Sequence, residues 1–225
     1  MKYYAILVGG GSGSRMKTDL PKQFLEIEGL PVLGHTLQAF EQSRFQPEII
    51  VVLNIHYHQT WELLCKQYQI TVPHTLVKGG NTRFDSVKNG LKSIKGKGIV
   101  AIHDAVRPLV SAKLIDSAFG EAEISGSAIP GIKSKDSIRR LTATGSEAVN
   151  REDFILIQTP QVFQSDILRK AYQQPFRDQF TDDASVVQRA GFEINLIEGE
   201  DENLKITYPL DLELAKILLQ KKIRP

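Results

Sequence analysis

Residues 9–16 read Gly9-Gly10-Gly11-Ser12-Gly13-Ser14-Arg15-Met16, directly after an apolar run at 3–8. Glycines allow a tight turn and close backbone approach to a ligand, and the N–H groups they expose form a nest for an anion. Lys22 follows Arg15 seven residues later, in Pro21-Lys22-Gln23-Phe24. A glycine loop backed by two cations has the chemistry of a triphosphate site. It matches neither common phosphate fingerprint. Met16 stands where a dinucleotide loop needs its third glycine, the second strand ends Leu53-Asn54 without an acidic ribose ligand, and the Walker Gly-Lys-Ser/Thr ending is absent. A plain glycine turn flanked by surface cations accounts for the same residues.

Further chemistry-bearing residues are spread along the chain. His103-Asp104-Ala105-Val106-Arg107-Pro108 closes an apolar run at 99–103. A carboxylate at a strand's carboxyl end, beside a phosphate loop, can hold Mg2+, which takes one or two carboxylates together with phosphate oxygens and waters. Asp104 could equally cap the turn that follows. His103 reads as a core or locally paired residue, and His56 and His58 have neither the helical spacing nor the acidic neighbours of a metal pair. Gly79-Gly80-Asn81-Thr82-Arg83-Phe84-Asp85-Ser86-Val87 is a second glycine turn into a helix. Helix N-termini favour polar or anionic ligand atoms, and Ser86 can donate to a base or ribose. Thr159-Pro160-Gln161 and Thr181-Asp182-Asp183-Ala184-Ser185 also lead into helices, with Thr181 a candidate N-cap. Lys205, set among apolar residues in Asn203-Leu204-Lys205-Ile206-Thr207, either snorkels to solvent or meets an anion.

These segments need a frame. Near-continuous apolar runs at 3–8, 49–53, 99–103 and 193–197 read as strands covered on both faces. Amphipathic stretches at 31–42, 59–68, 83–94, 112–124, 166–173, 182–190 and 209–221 read as helices, with Ser111 an N-cap and Gly191 a stop. The alternation predicts an α/β fold with an open, mainly parallel sheet, in which ligands bind outside the carboxyl ends of the strands. Residues 127–154 break the rhythm with short strand-like pieces and turns. They read as a projecting β-ribbon, too small to be stable alone, for which a second subunit is the simplest partner.

Bulk composition narrows the function classes. With 28 Lys+Arg against 26 Asp+Glu, the net charge of +2 does not suggest a nucleic-acid or membrane partner. The single cysteine, Cys65, excludes an intrachain disulfide and reads as a small buried hydrophobe. The apolar run at 3–8 is too short for a membrane span and lacks a signal-peptide pattern, so a cytoplasmic location is expected.

Taken in order, the segments quoted above are together similar to the 2-C-methyl-D-erythritol 4-phosphate cytidylyltransferase family of the non-mevalonate isoprenoid pathway, over essentially the whole chain. The resemblance implies a Rossmann-like nucleotidyltransferase domain spanning 1–225, with 127–154 as an arm for homodimerisation. It implies CTP and a sugar-alcohol phosphate as substrates and Mg2+ as cofactor. Arg15, Lys22 and Lys205 look like its stabilisers of the reacting phosphates, and Arg151 like an arginine offered to the neighbouring subunit's site. Gly9, Gly10, Gly11, Gly13, Gly80, Asn81, Ser86 and Ala105 match its nucleotide contacts. Asp104, Arg107, Ser137, Thr159 and Thr181 match its substrate contacts, with Asp104 also the metal ligand. Some positions depart from the family's usual residues. Gly9-Gly10-Gly11 stands for Ala-Ala-Gly, Ala105-Val106-Arg107 for Ala-Ala-Arg, and Asp136-Ser137 for Asp-Thr. The first two features also occur in ribitol-5-phosphate cytidylyltransferases, which typically lack the Asp85-Ser86-Val87 and Asp182-Asp183-Ala184-Ser185 forms present here. A non-catalytic nucleotide sensor on the same fold would have no use for Arg15, Lys22, Asp104 and Lys205 together, because sensing needs affinity and not transition-state charge.

Overall fold

The computed structural model describes residues 1–10 and 20–223. Its strands are β1 (Tyr3–Val8), β2 (Glu26–Ile27), β3 (Leu30–Pro31), β4 (Glu48–Leu53), β5 (Thr75–Lys78), β6 (Ile99–Asp104), β7 (Ser127–Lys133), β8 (Ile138–Thr142), β9 (Gly145–Val149), β10 (Ile155–Ile157), β11 (Gln161–Gln164) and β12 (Leu196–Glu198). The α-helices are α1 (Val32–Glu41), α2 (His58–Gln67), α3 (Arg83–Ser93), α4 (Ala112–Ser125), α5 (Ser165–Ala171), α6 (Asp183–Arg189) and α7 (Pro209–Ile223).

One open sheet carries the fold. β5, β4, β1 and β6 run parallel side by side, β11 pairs antiparallel with β6, and β7 follows β11. β10 continues antiparallel along β7, and β12 pairs parallel with it. Alternation along β1 explains the two covering layers. Ala5 and Leu7 face a core built with Leu33, Leu37 and Phe40 of α1, Trp61 of α2 and Phe119 of α4. Tyr4 and Ile6 face a second core with Phe84 and Val87 of α3, Leu168 of α5 and Val187 of α6. Both faces of the central strands are therefore apolar, which is why they read as continuous runs.

Three of the predicted segments end at one edge of this sheet. Val8 lies beside Asp104 at the carboxyl ends of β1 and β6, and Leu53 beside Lys78 at those of β4 and β5. The glycine turns at 9–10 and 79–80 thus open where α/β sheets bind ligands. A smaller core of Ile27, Val106, Leu109, Ile206, Ala215 and Leu219 seats the 203–207 segment and α7 against the same edge.

The ribbon expected over 127–154 divides in two. Ser127, Ala128, Ile129 and Pro130 are buried in the main sheet, because β7 pairs with β11 and β12. Only the hairpin of β8 and β9, with Ile138 opposite Val149, stands off it as a separate two-stranded sheet. The last strand also begins later than the pattern suggested, at Leu196 and not 193. β5, β10 and β11 were not anticipated. Each has only three or four residues, too few to show a period.

Candidate active site

Asp104 sits at the last position of β6, and three cations converge on its carboxylate. Lys205 Nζ lies 2.9 Å from Oδ2, Arg107 Nε 3.5 Å from Oδ2, and Arg83 Nε 3.5 Å from Oδ1. Burial alone would raise the pKa of Asp104. Arg83, Lys205 and Arg107 together override that effect, and the carboxyl is held well below the usual carboxylate range. The side chain therefore does not cap its own turn; it anchors a positive cluster. Lys205 meets an anion while keeping 43% of its side chain exposed, so it remains reachable.

Two clefts meet at this cluster. The first, about 260 Å³, is lined by Gly9 and Gly10, by Lys22 and Gln23, by Gly80, Asn81 and Ser86 of the second turn, and by Arg83, Asp104 and Lys205. The second, about 280 Å³, shares Arg83, Asp104 and Lys205 and adds Arg107, Gln158, Thr159, Gln161, Thr181 and Asp182. A carboxylate and two cations thus form the seam between a cleft walled by glycine turns and a cleft walled by hydroxyls and amides. That is a layout for two anionic substrates brought end to end.

Local sequence chemistry fixes each wall. Gln23 donates from Nε2 to Gly9 O at 2.7 Å, and Gly9 N donates to Val52 O, so the start of the first loop is tied to β4. Lys22 Nζ donates to Ile206 O at 2.7 Å, linking the first loop to the Lys205 segment. On the second turn, Thr82 caps α3 in a reciprocal box with Asp85. Ser86 Oγ accepts from Gly80 N at 3.0 Å and donates to Thr82 O at 2.9 Å. A side chain at Gly80 would place its Cβ 2.2 Å from Asp85 Cβ, so this turn demands glycine. At the second cleft, Asp182 caps α6 with Ser185, which leaves Thr181 exposed on the cleft wall instead of acting as the cap. Gln161 braces that cap, donating to Asp182 Oδ2 and accepting from Ala184 N.

Thr159 and His103 lie beneath the cluster. Thr159 Oγ1 accepts from Asp104 N at 3.1 Å and pairs with His103 Nδ1 at 3.1 Å, while His103 Nε2 faces Arg107 O at 3.3 Å. Burial pushes the His103 imidazole down to about 3, so it is neutral at physiological pH and serves as a strut. Arg107 Nη1 donates to Asn203 O at 2.7 Å, and Asn203 Nδ2 donates to Thr159 O at 2.8 Å, closing the base of the second cleft.

A family model described as IspD, 2-C-methyl-D-erythritol 4-phosphate cytidylyltransferase, matches residues 3–221. The chain belongs to this family. A relative from Bacteroides fragilis bearing that name is 48% identical over 215 residues, covering 96% of this chain and 98% of its own. One from Porphyromonas gingivalis is 48% identical over 222 residues, covering 97% and 98%. The crystal structure of the Thermus thermophilus cytidylyltransferase superposes with a TM-score of 0.80 at 30% identity, covering 98% of this chain and 100% of that one. The 4-diphosphocytidyl-2C-methyl-D-erythritol synthase of Anaerococcus prevotii superposes with a TM-score of 0.83 at 27% identity, covering 97% and 96%.

The IspD residues inferred from the sequence fall into four groups. Gly9, Gly10, Lys22, Gly80, Asn81, Ser86, Asp104, Arg107, Thr159, Thr181 and Lys205 surround the paired clefts. Ala105 is fully buried beneath Gly9, its N–H bonded to Val8 O and its carbonyl to Thr36 Oγ1, and it lies on neither cleft wall. Ser137 and Arg151 lie at the base of the hairpin and line neither cleft; Arg151 Nη1 donates to Lys135 O at 2.9 Å. Gly11, Gly13 and Arg15 lie outside the described residues. Sequence reasoning gave no role to Arg83, Gln158, Gln161 or Asp182. Arg83 carried a signal, since a cation at the first position of a helix opposes the helix dipole and calls for a nearby anion.

Proposed function

We infer that the chain transfers CMP from CTP to 2-C-methyl-D-erythritol 4-phosphate, releasing pyrophosphate, in non-mevalonate isoprenoid precursor synthesis. The observation that carries this reading is the seam of Asp104, Arg83 and Lys205 shared by two clefts, in a chain that belongs to the IspD family end to end. CTP occupies the cleft of the glycine turns, and the acceptor occupies the cleft of Arg107, Thr159 and Thr181.

The nucleophile is an oxygen of the acceptor's phosphate. A phosphate monoester has a second pKa of about 6 and is already ionised at neutral pH, so no general base is required. That oxygen forms a bond to the α-phosphorus of CTP while the bond to the bridging β-oxygen breaks, and pyrophosphate carries away the electron pair. The barrier lies in bringing two anions together, so positioning and fixed positive charge supply the catalysis. Lys22, Lys205 and Arg15 provide the charge; Arg107 holds the acceptor.

Among the described residues no group of three or more His, Cys, Asp or Glu gathers to cage a metal. Asp104 is the carboxylate at the seam, and Asp183 behind it is spent on Arg83 and Tyr172. This donor set fits a Mg2+ ion held largely by phosphate oxygens with Asp104 as its protein ligand. When bound, the ion neutralises charge on the triphosphate. We also infer a homodimer through the hairpin, where Leu141 is 84% exposed, and through the segment that follows it, where Phe154 and Leu156 are exposed. No helix among the described residues is long and apolar enough to cross a membrane, and the compartment inferred is the cytoplasm, where the lone Cys65 stays reduced.

Pyrophosphate release tests the reading. With 2-C-methyl-D-erythritol 4-phosphate as acceptor, CTP is expected to outperform ATP, GTP and UTP, and ribitol 5-phosphate to be a poor substitute. Equal release from all four triphosphates removes the base-specific site, and preference for ribitol 5-phosphate reassigns the acceptor.

A further inference from the structure

Arg83 is the first residue of α3, where the helix dipole disfavours a cation. The fold supplies the compensating anions from remote segments. Arg83 Nη2 lies 2.7 Å from Oδ2 of Asp183, a fully buried carboxylate whose Oδ1 also accepts from the Tyr172 hydroxyl at 2.6 Å. Asp183 opens α6, so this ion pair joins the N-termini of two helices. On its other side, Arg83 Nε reaches Oδ1 of Asp104, while Lys205 and Arg107 address Oδ2. The Asp104 carboxylate is thereby drawn from both of its oxygens.

We propose that Arg83 is a positioning residue of the transfer reaction: anchored on buried Asp183, it fixes the Asp104 carboxylate at the seam between the two clefts. The inference rests on the cytidylyl-transfer reading. A carboxylate between two anionic substrates repels both unless it is neutralised and held in one orientation, and Arg83 does each. A purely structural staple would not need to open on ligand space. Arg83 keeps 31% of its side chain exposed and lines both clefts. Nor is a charged pair needed for stability alone, since well-packed neutral residues often replace buried ion pairs without loss.

The test compares Arg83→Gln, Arg83→Lys and the double variant Arg83→Gln/Asp183→Asn. The single glutamine variant strands Asp183 as a buried charge and can fail to fold; the double variant removes both charges and keeps amides able to hydrogen-bond. For folded protein, kcat is expected to fall about 10²-fold in the double variant while KM for CTP stays within about threefold, the split expected when an interaction acts in the transition state, with part of kcat recovered in Arg83→Lys. A folded double variant with wild-type kcat overturns the proposal. A crystal structure of the double variant gives a readout that needs no turnover. Asp104 displaced from its 2.9 Å contact with Lys205 supports the positioning role, and an unmoved pair overturns it. Absence of pyrophosphate release from CTP by the wild-type protein would instead count against the functional reading, leaving the crystal structure to decide on Arg83.

Discussion

Lys205 and Asp104 come from segments remote in the chain, yet Nζ and Oδ2 stand 2.9 Å apart at the point where two clefts join. The pair keeps a partly exposed cation on the wall shared by both clefts. It also explains why a lysine can sit in the apolar run of Leu204 and Ile206: its charge is matched before any ligand arrives.

Removing the cation should therefore separate catalysis from folding, and removing its counter-charge should not. Lys205→Ala and Lys22→Ala are each expected to lower turnover by about 10²-fold or more, the scale of losing one transition-state donor. Both should leave the melting temperature little changed. Asp104→Asn is expected to lower both turnover and melting temperature, because Arg83, Arg107 and Lys205 then converge without their counter-charge. Steady-state rates over a Mg2+ titration, with thermal melts alongside, check this. Full activity of Asp104→Asn at limiting Mg2+ would leave Asp104 an anchor for its cations with no part in metal binding.

Gly80→Ala tests the second turn. The new Cβ would meet Asp85 Cβ at 2.2 Å and the Asp85 carbonyl carbon at 2.9 Å, so the backbone must move. Overpacking of this kind costs about 1–3 kcal/mol. The displacement breaks the Gly80 N–H bond to Ser86 and should weaken CTP binding more than acceptor binding. Calorimetric titration with each substrate separates the two, and unchanged CTP affinity would detach this turn from the nucleotide.

The frame and most of the site were legible because they rest on local patterns. Continuous apolar runs gave β1, β4 and β6, and cap residues such as Ser111 located helix starts. The glycine turns and Asp104 followed from their places at strand ends. What was not legible depends on long-range geometry. Arg83 reads as one more charged residue of a helix until Asp183, a hundred positions away, is placed against it. Thr181 looked like a cap because its neighbour Asp182 is equally able to cap, and only packing by Gln161 decides between them. β7 looked like part of the arm because its pairing with β11 and β12 is nonlocal.

His103 gives the fold a pH dependence. Its imidazole is lowered from 6.5 to about 3 by burial. Between those values the unfolded chain binds the proton and the folded one does not, so stability falls as pH falls through this window, by up to about 1.4 kcal/mol per unit, and is fully present above it. Asp104, held low by its cations, adds loss in the same direction at more acidic pH. Urea midpoints measured from pH 7 to 4 should show this slope, and His103→Gln should flatten it. An unchanged slope would place the titration elsewhere.

Arg151 lines neither cleft of its own chain. If each arm delivers Arg151 to the partner's acceptor phosphate, Arg15→Ala and Arg151→Ala are inactive alone but partly active when mixed. One site of the heterodimer then holds both intact residues. Arginine suits the task because its guanidinium grips phosphate through two parallel hydrogen bonds. Mixed subunits with no recovered activity, after exchange is verified, would place Arg151 outside the reaction; a monomer by light scattering would exclude the exchange itself.

In the proposed reaction an acceptor phosphate oxygen attacks the α-phosphorus of CTP. Acceptor carrying 18O in its phosphate group measures this directly. After reaction, mass spectrometry and 31P NMR should find all of the label in a cytidine diphosphate ester of the acceptor, including its bridging oxygen, and none in the released pyrophosphate. Label in the pyrophosphate, or a nucleotide product lacking the labelled bridge, would contradict the account.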